Sequence, residues 1–152
     1  MTPEQLAKSN SEHGHQVAAM AWCNMAAMYG FKAADDNRSY NLKLWALSQY
    51  GFSDAKPALN WIHAIPNGGL RSNIQGAKLK AEGVKPGIPD LFLPVPRTGF
   101  HGCYIEIKKP GQRKSLSEEQ KKFKTHAEIY GYSWVVCDHW EQVVETIKFY
   151  LS

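Results

Sequence analysis

Six residues in the second half of the chain, Cys103-Tyr104-Ile105-Glu106-Ile107-Lys108, constrain the fold more than any others. Cys103, Ile105 and Ile107 leave one side of an extended backbone, and Tyr104, Glu106 and Lys108 leave the other. That period of two marks a strand with one face in a core. A second apolar stretch, Ile88 to Val95, precedes it and is ended by Pro94 and Pro96. Arg97 to Gly102 is the connecting turn. A helix follows from Ser117 to Tyr130, opened by the Ser117 and Gln120 capping pair and stopped by Gly131. Tyr132 to Cys137 reads as a third strand, and Glu141 to Leu151 as a helix with Val144, Ile147 and Leu151 on one face. Strand, strand, helix, strand, helix predicts an α/β fold, with helices flanking a mixed sheet.

The first half is less regular. Apolar Val17, Met20, Ala21, Met25 and Met28 recur at helical spacing, with Trp22 beside them, which predicts a helix from Ser11 to Met28 stopped by Gly30. Asp35-Asp36-Asn37 reads as a turn. Tyr40 to Tyr50 reads as a second helix carrying Leu42, Leu44, Trp45 and Leu47. Trp61 to Ile65 reads as a short strand, ended by the turn cluster Pro66-Asn67-Gly68-Gly69, and Asn73 to Glu82 as a helix stopped by Gly83.

At 152 residues the chain fits one domain spanning 1–152, large enough to bury a core without disulfides. Its 43% hydrophobic content excludes a disordered tail. No apolar run approaches the roughly 20 residues that span a bilayer, and the polar N-terminus lacks a signal-peptide core, so a cytoplasmic location is expected. Cys23, Cys103 and Cys137 are odd in number, far apart and set among apolar residues, which suits reduced core thiols rather than a zinc site. The net charge of +4 is unevenly placed. Residues 1–70 hold five basic and five acidic side chains, and residues 71–152 hold thirteen and nine. A basic second half suits a phosphate-bearing partner.

Asp90 lies in Ile88-Pro89-Asp90-Leu91-Phe92-Leu93, sixteen residues before Glu106. A carboxylate among apolar neighbours is costly unless a cation or hydrogen bonds compensate. If the two strands pair through the turn, Asp90 and Glu106 converge with Lys108 beside them. Magnesium takes oxygen ligands, often one or two carboxylates plus water and substrate phosphate. It can polarise a phosphoryl oxygen and activate water, and a neighbouring lysine can stabilise charge building on the phosphorus oxygens. The set therefore suits phosphodiester hydrolysis. The alternative is an edge strand whose Glu106 and Lys108 face solvent.

Gly87-Ile88-Pro89-Asp90 followed by Glu106-Ile107-Lys108 resembles the PD-(D/E)xK nuclease superfamily. Within it the chain resembles the VRR-NUC family, in its small stand-alone form from phages and bacteria. The likeness runs from Ala64 to the C-terminus. It includes Ile65-Pro66-Asn67-Gly68-Gly69, Leu79 to Asp90, His101 to Lys108, Ser117-x-x-Gln120 and Tyr150-Leu151, and Glu12-x-x-x-Gln16 resembles the family's opening helix. The resemblance implies a restriction-endonuclease-like core and a DNA endonuclease that uses Mg²⁺, with Mn²⁺ able to substitute, and leaves a 5′-phosphate. It implies metal ligation by Asp90, Glu106 and the Ile107 carbonyl, with Lys108 catalytic. Gln120 falls near the active site, an N-capping role being the alternative or a companion, and Glu12 falls near the metal or is a solvated first-turn glutamate. Branched DNA such as four-way junctions, and a homodimer with two sites, are the associated substrate and assembly. A non-catalytic or partner-dependent DNA-binding module on the same fold is the rival. Residues 31–60 exceed the family's usual link and read as an insertion, either a helix over the core or a contact element.

Several other residues have two readings. Asn67 and Arg71 suit a phosphate contact or a plain turn. Lys78, Lys80, Lys85, Lys109, Arg113 and Lys114 suit a DNA-binding rim or solvated faces, as do Lys121, Lys122 and Lys124. His13 and His15 read as surface residues, His101 as a bystander rather than a proton carrier, and Trp61 and Trp134 as core.

Overall fold

The computed structural model of the chain describes residues 1–36, 54–66 and 73–152. Helix α1 (Pro3–Leu6) and a 3₁₀ turn (Ala7–Ser9) lead into the long α2 (Glu12–Tyr29), and α3 (Phe31–Asp36) follows. A 3₁₀ segment (Pro57–Trp61) precedes β1 (His63–Ala64). Then come α4 (Asn73–Ala81), β2 (Leu91–Leu93), β3 (Cys103–Ile107), α5 (Glu118–Ile129), β4 (Ser133–Cys137) and α6 (Trp140–Leu151). The sheet order is β1-β2-β3-β4. The first two pairings are antiparallel and β3–β4 is parallel, with α5 as the crossover. The predicted α/β class and the strand, strand, helix, strand, helix order of the second half both hold. No described helix is long and apolar enough to cross a membrane.

Strand alternation divides the sheet into two unlike faces. Leu91, Leu93, Cys103, Ile105 and Ile107 are fully or almost fully buried against α2 and α6, together with Trp22, Leu59, Val143 and Ile147. The three cysteines are free and buried, as expected of core thiols. On the other face Phe92, Tyr104 and Trp134 are half-buried, and α5 lies there.

The buried stripe of α2 differs from the one its large apolar residues predict. Gly14, His15, Ala18, Ala19, Trp22, Cys23, Ala26 and Ala27 face the core, while Met28 is 52% exposed and Val17, Met20, Ala21 and Met25 flank the contact. Small side chains let the helix approach the sheet closely, so the bulkier methionines are displaced to the margin. His15 is likewise buried, contrary to a surface reading. Its Nδ1 accepts the Trp140 N–H at 3.1 Å and its Nε2 meets Asn10 Oδ1 at 3.1 Å, so the ring pins α2 to the start of α6. Burial and the neighbouring His139 hold its pKa below the ordinary value.

Other departures are local. Asp35 and Asp36 end a helix rather than form a turn, because Asp35 accepts hydrogen bonds from Trp22 Nε1 and Lys148 Nζ. Trp61 closes a 3₁₀ turn and is 72% exposed, so it is not core, and of the predicted strand only His63–Ala64 is regular strand, with one further hydrogen bond from Ile65. The predicted Tyr40–Tyr50 helix, Asn67 and Arg71 lie outside the described residues.

Candidate active site

The β2–β3 register sets Leu91 opposite Ile105 and Phe92 opposite Tyr104. Continued by one residue, it brings Asp90 opposite Glu106. The pairing with β1 extends equally far, since Ile65 N–H donates to the Asp90 carbonyl at 2.8 Å. The Asp90 carboxylate then accepts the Ile107 N–H at 2.7 Å. That bond ties the side chain to the strand that carries Glu106. Gly87 permits the approach. Its φ is +83°, and a Cβ there would lie 2.5 Å from the main chain of Glu119 at the start of α5.

Glu106 is 3% exposed. One oxygen, Oε1, accepts from Gln120 Nε2 at 2.6 Å and lies 3.7 Å from Lys108 Nζ. The other, Oε2, is buried with no hydrogen-bond partner. Burial pushes the Glu106 carboxyl up to about 8, with the Asp90 charge adding to the effect, Lys108 opposing it and Glu12 adding again. A solvent-facing edge pattern is therefore excluded.

Gln120 links the carboxylate to the lysine. Its Oε1 accepts from Lys108 Nζ at 2.8 Å and from Ser117 N–H at 2.9 Å, while its own N–H donates to Ser117 Oγ at 3.2 Å. The capping box and the site contact thus coexist in one side chain. Two donors at Oε1 and an acceptor at Nε2 also settle which way the amide points.

Glu12 arrives from 97 residues away. Ser11 caps α2, and Glu12 in its first turn accepts the Lys109 N–H at 3.2 Å just past the end of β3. Gly14 allows α2 to sit there, because a Cβ would meet Ser9 Oγ at 2.5 Å and the Leu6 carbonyl at 2.8 Å. Sequence reasoning missed the parts played by Gly14 and His15. A glycine in the first turn of a helix, where it is a poor helix former, was the available signal.

Asp138 was also missed. Buried just after β4, it accepts the Gly111 N–H at 2.9 Å, meets His139 Nδ1 at 2.9 Å and lies 3.8 Å from Arg113 Nε. Burial would raise its pKa, but the hydrogen bonds from His139 and Gly111 outweigh that and hold it below the usual value. Arg113 and Lys114 line an open cleft of about 700 Å³ with Val136, which pairs with Glu106 across the sheet. The cleft thus reaches the β4 neighbour of Glu106, and its lining includes none of Asp90, Glu106, Lys108 or Gln120. Lys109 is exposed at the end of β3. Lys78, Lys80 and Lys85 are exposed on or after α4, outside the contacts of the carboxylate cluster. His101 sits near the opposite end of β3, its ring against Gly131 and Tyr132.

Among the described residues no three acidic, His or Cys groups form a ready-made metal cage. A hard divalent cation needs no such cage, since water and substrate phosphate can complete its shell. The buried Glu106 oxygen without a donor, beside the charges of Asp90 and Glu12, fits a cation.

A mixed four-stranded sheet with helices on both faces, carrying Pro-Asp and Glu-x-Lys at one end, defines a fold of the PD-(D/E)xK nuclease class. The chain belongs to the VRR-NUC domain family, whose profile matches residues 33–139. That span includes Asp90, Glu106, Lys108 and Gln120, and Glu12 lies ahead of it. A solved structure described as a VRR_NUC domain protein is similar, with 27% identity and a TM-score of 0.61 over 93% of this chain and 88% of that one. No curated protein matches the chain. Family and fold together make this a nuclease domain with DNA as its substrate class.

Proposed function

We propose that the chain is a divalent-metal-dependent DNA endonuclease whose centre is Asp90, Glu106, Lys108 and Gln120. The buried, donorless Oε2 of Glu106 carries this reading. Asp90, Glu106 and the Ile107 carbonyl would hold Mg²⁺ or Mn²⁺, with Glu12 at the margin. Such an ion, when bound, polarises a phosphoryl oxygen and makes water a better nucleophile near neutral pH.

The chain's own residues do the rest. Gln120 takes one N–H of the Lys108 ammonium and holds Glu106 Oε1, so both side chains have fixed rotamers before substrate arrives. Lys108, 14% exposed at its side chain, keeps its ammonium at the edge of the buried cluster. There it meets the charge that develops on a phosphoryl oxygen. Asp90, tied to the Ile107 N–H, keeps the β2 and β3 carboxylates together. Arg113, Lys114 and Lys109 line the approach and bind flanking phosphates without reading sequence.

The domain acts on branched DNA such as four-way junctions, in the cytoplasm, as a homodimer presenting two sites. The family resemblance and the Arg113–Lys114 cleft, which reaches the strand next to Glu106, support that finer reading. The test is incubation of purified protein with linear, flap and four-way-junction DNA in Mg²⁺, Mn²⁺ or EDTA. Cutting only with metal, and faster on branched substrates, is expected. Cutting in EDTA refutes the metal requirement, and equal rates on linear DNA refute the branched preference.

A further inference from the structure

Helix α4 contributes no residue to the core. From Ile74 to Glu82 every residue is exposed except Leu79, which is half-buried. Ile74 is 84% exposed, and a Cβ added at Gly76 would meet nothing within 4 Å. A helix of nine residues is marginal in water by itself, and most helices owe their stability to a packed face. The nine residues of α4 include no acid, so no ion pair within the helix supports it. A helix open on all sides and without such pairs is one that a partner covers.

Charge selects the partner. Residues 73–89 carry Lys78, Lys80 and Lys85 against Glu82 alone. All three lysines are exposed. Ile74 is the only large apolar side chain that α4 fully exposes, which is too little apolar area for a protein interface.

The placement of α4 suits a contact with substrate. The chain leaves the sheet at Ile65 and returns at Asp90, and the Ile65 N–H donates to the Asp90 carbonyl at 2.8 Å. The excursion that carries α4 therefore begins and ends beside a site carboxylate. Its returning limb runs from Lys85 to Gly87, which packs on Glu119, the residue before Gln120. The Arg113–Lys114 cleft is lined from β4, at the other edge of the sheet. Asp90 and Glu106, at the ends of β2 and β3, fall between these two basic surfaces in the sheet order.

Resting on the nuclease reading, we propose that α4 holds the backbone of a duplex arm, with Lys78, Lys80 and Lys85 meeting its phosphates. Lysine is a flexible point charge, so the contact positions the arm without reading its sequence. A fully paired four-way junction supplies a duplex arm on each side of its branch point. Both basic surfaces are then occupied together, one arm on α4 and another at the cleft.

The test reads hydrogen exchange and binding in EDTA, with a gel showing that the DNA stays intact. The probe is a four-way junction with fully paired arms. Amides of residues 73–85 should exchange several-fold more slowly when the junction is bound. Lys78→Ala, Lys80→Ala and Lys85→Ala combined should weaken binding by about tenfold or more and lower the slope of log affinity against log salt by about 2 to 3. The three side chains are exposed, so Tm should not move. Lys32→Glu is the charge control. It lies on α3 past the far end of α2, a helix about 27 Å long, well beyond a screening length of about 10 Å, and should leave affinity and slope unchanged. Unaltered exchange on binding, or a triple variant with the wild-type slope, overturns the proposal. Protection of α4 that grows with protein concentration in the absence of DNA means that a second copy covers it, and overturns the proposal too. Cleavage in Mg²⁺ followed in parallel separates the two ideas: cutting without protection of α4 removes the arm contact alone, and protection without cutting removes the nuclease reading alone.

Discussion

Replacing Glu106 by Gln should stabilise the metal-free protein at alkaline pH while destroying its activity. With its pKa raised from 4.5 to about 8, Glu106 keeps a proton in the folded state that the unfolded chain has already lost. Between those values the folded state binds more protons, so stability falls as pH rises and levels off above about 8. At about 1.4 kcal/mol per pH unit the penalty has a ceiling of about 5 kcal/mol. Water entry and relaxation lower it, and about 2 kcal/mol, or roughly 5 °C in Tm for a domain of this size, is the expected scale. The assay is thermal unfolding of wild type and Glu106→Gln in EDTA at about pH 5 and about pH 9. Wild type should lose roughly that much more than the variant across the interval. Mg²⁺ at the higher pH should restore wild type and leave the variant unmoved. Parallel pH profiles, or equal responses to Mg²⁺, would show that Glu106 is neither a buried proton carrier nor a metal ligand.

Four further substitutions separate positioning from chemistry. Ser117→Ala removes only the cap and should cost about 1 kcal/mol in denaturant unfolding with little change in kcat, whereas Gln120→Ala should lower kcat at least tenfold, because it also frees Lys108 and Glu106. Gly87→Ala forces a side chain at φ +83° against Glu119 and should destabilise by about 2 kcal/mol or more, read as a lower urea midpoint. Asp138→Ala releases the Gly111 N–H and Arg113; hydrogen exchange in residues 111–115 should rise, and KM for DNA should increase several-fold with kcat retained.

Legibility in the sequence followed the range of the interactions. β3 was readable because its apolar residues alternate with Tyr104, Glu106 and Lys108 on the opposite face, and α5 because Ser117 and Gln120 announce a cap within four residues. The stripe on α2 misled because size was taken as the sign of burial, when close helix–sheet packing selects alanine and cysteine. His15 and Asp138 were invisible for a different reason. The long-range partners that fix their roles, Trp140 for the one and Gly111 for the other, are 125 and 27 residues away, beyond the reach of any local pattern. Glu12 was suggested only by family likeness, since its meeting with Lys109 depends on how α2 docks.

The most direct measurement of phosphodiester cutting by this cluster is the single-turnover cleavage rate of branched DNA in Mg²⁺ for wild type, Glu106→Ala and Lys108→Ala, with DNA affinity measured alongside. Each substitution should slow cleavage by about 10²-fold or more, while affinity changes by only a few-fold because exposed basic residues supply most of it. Cleavage that survives both substitutions at the wild-type rate would contradict the assignment of the site.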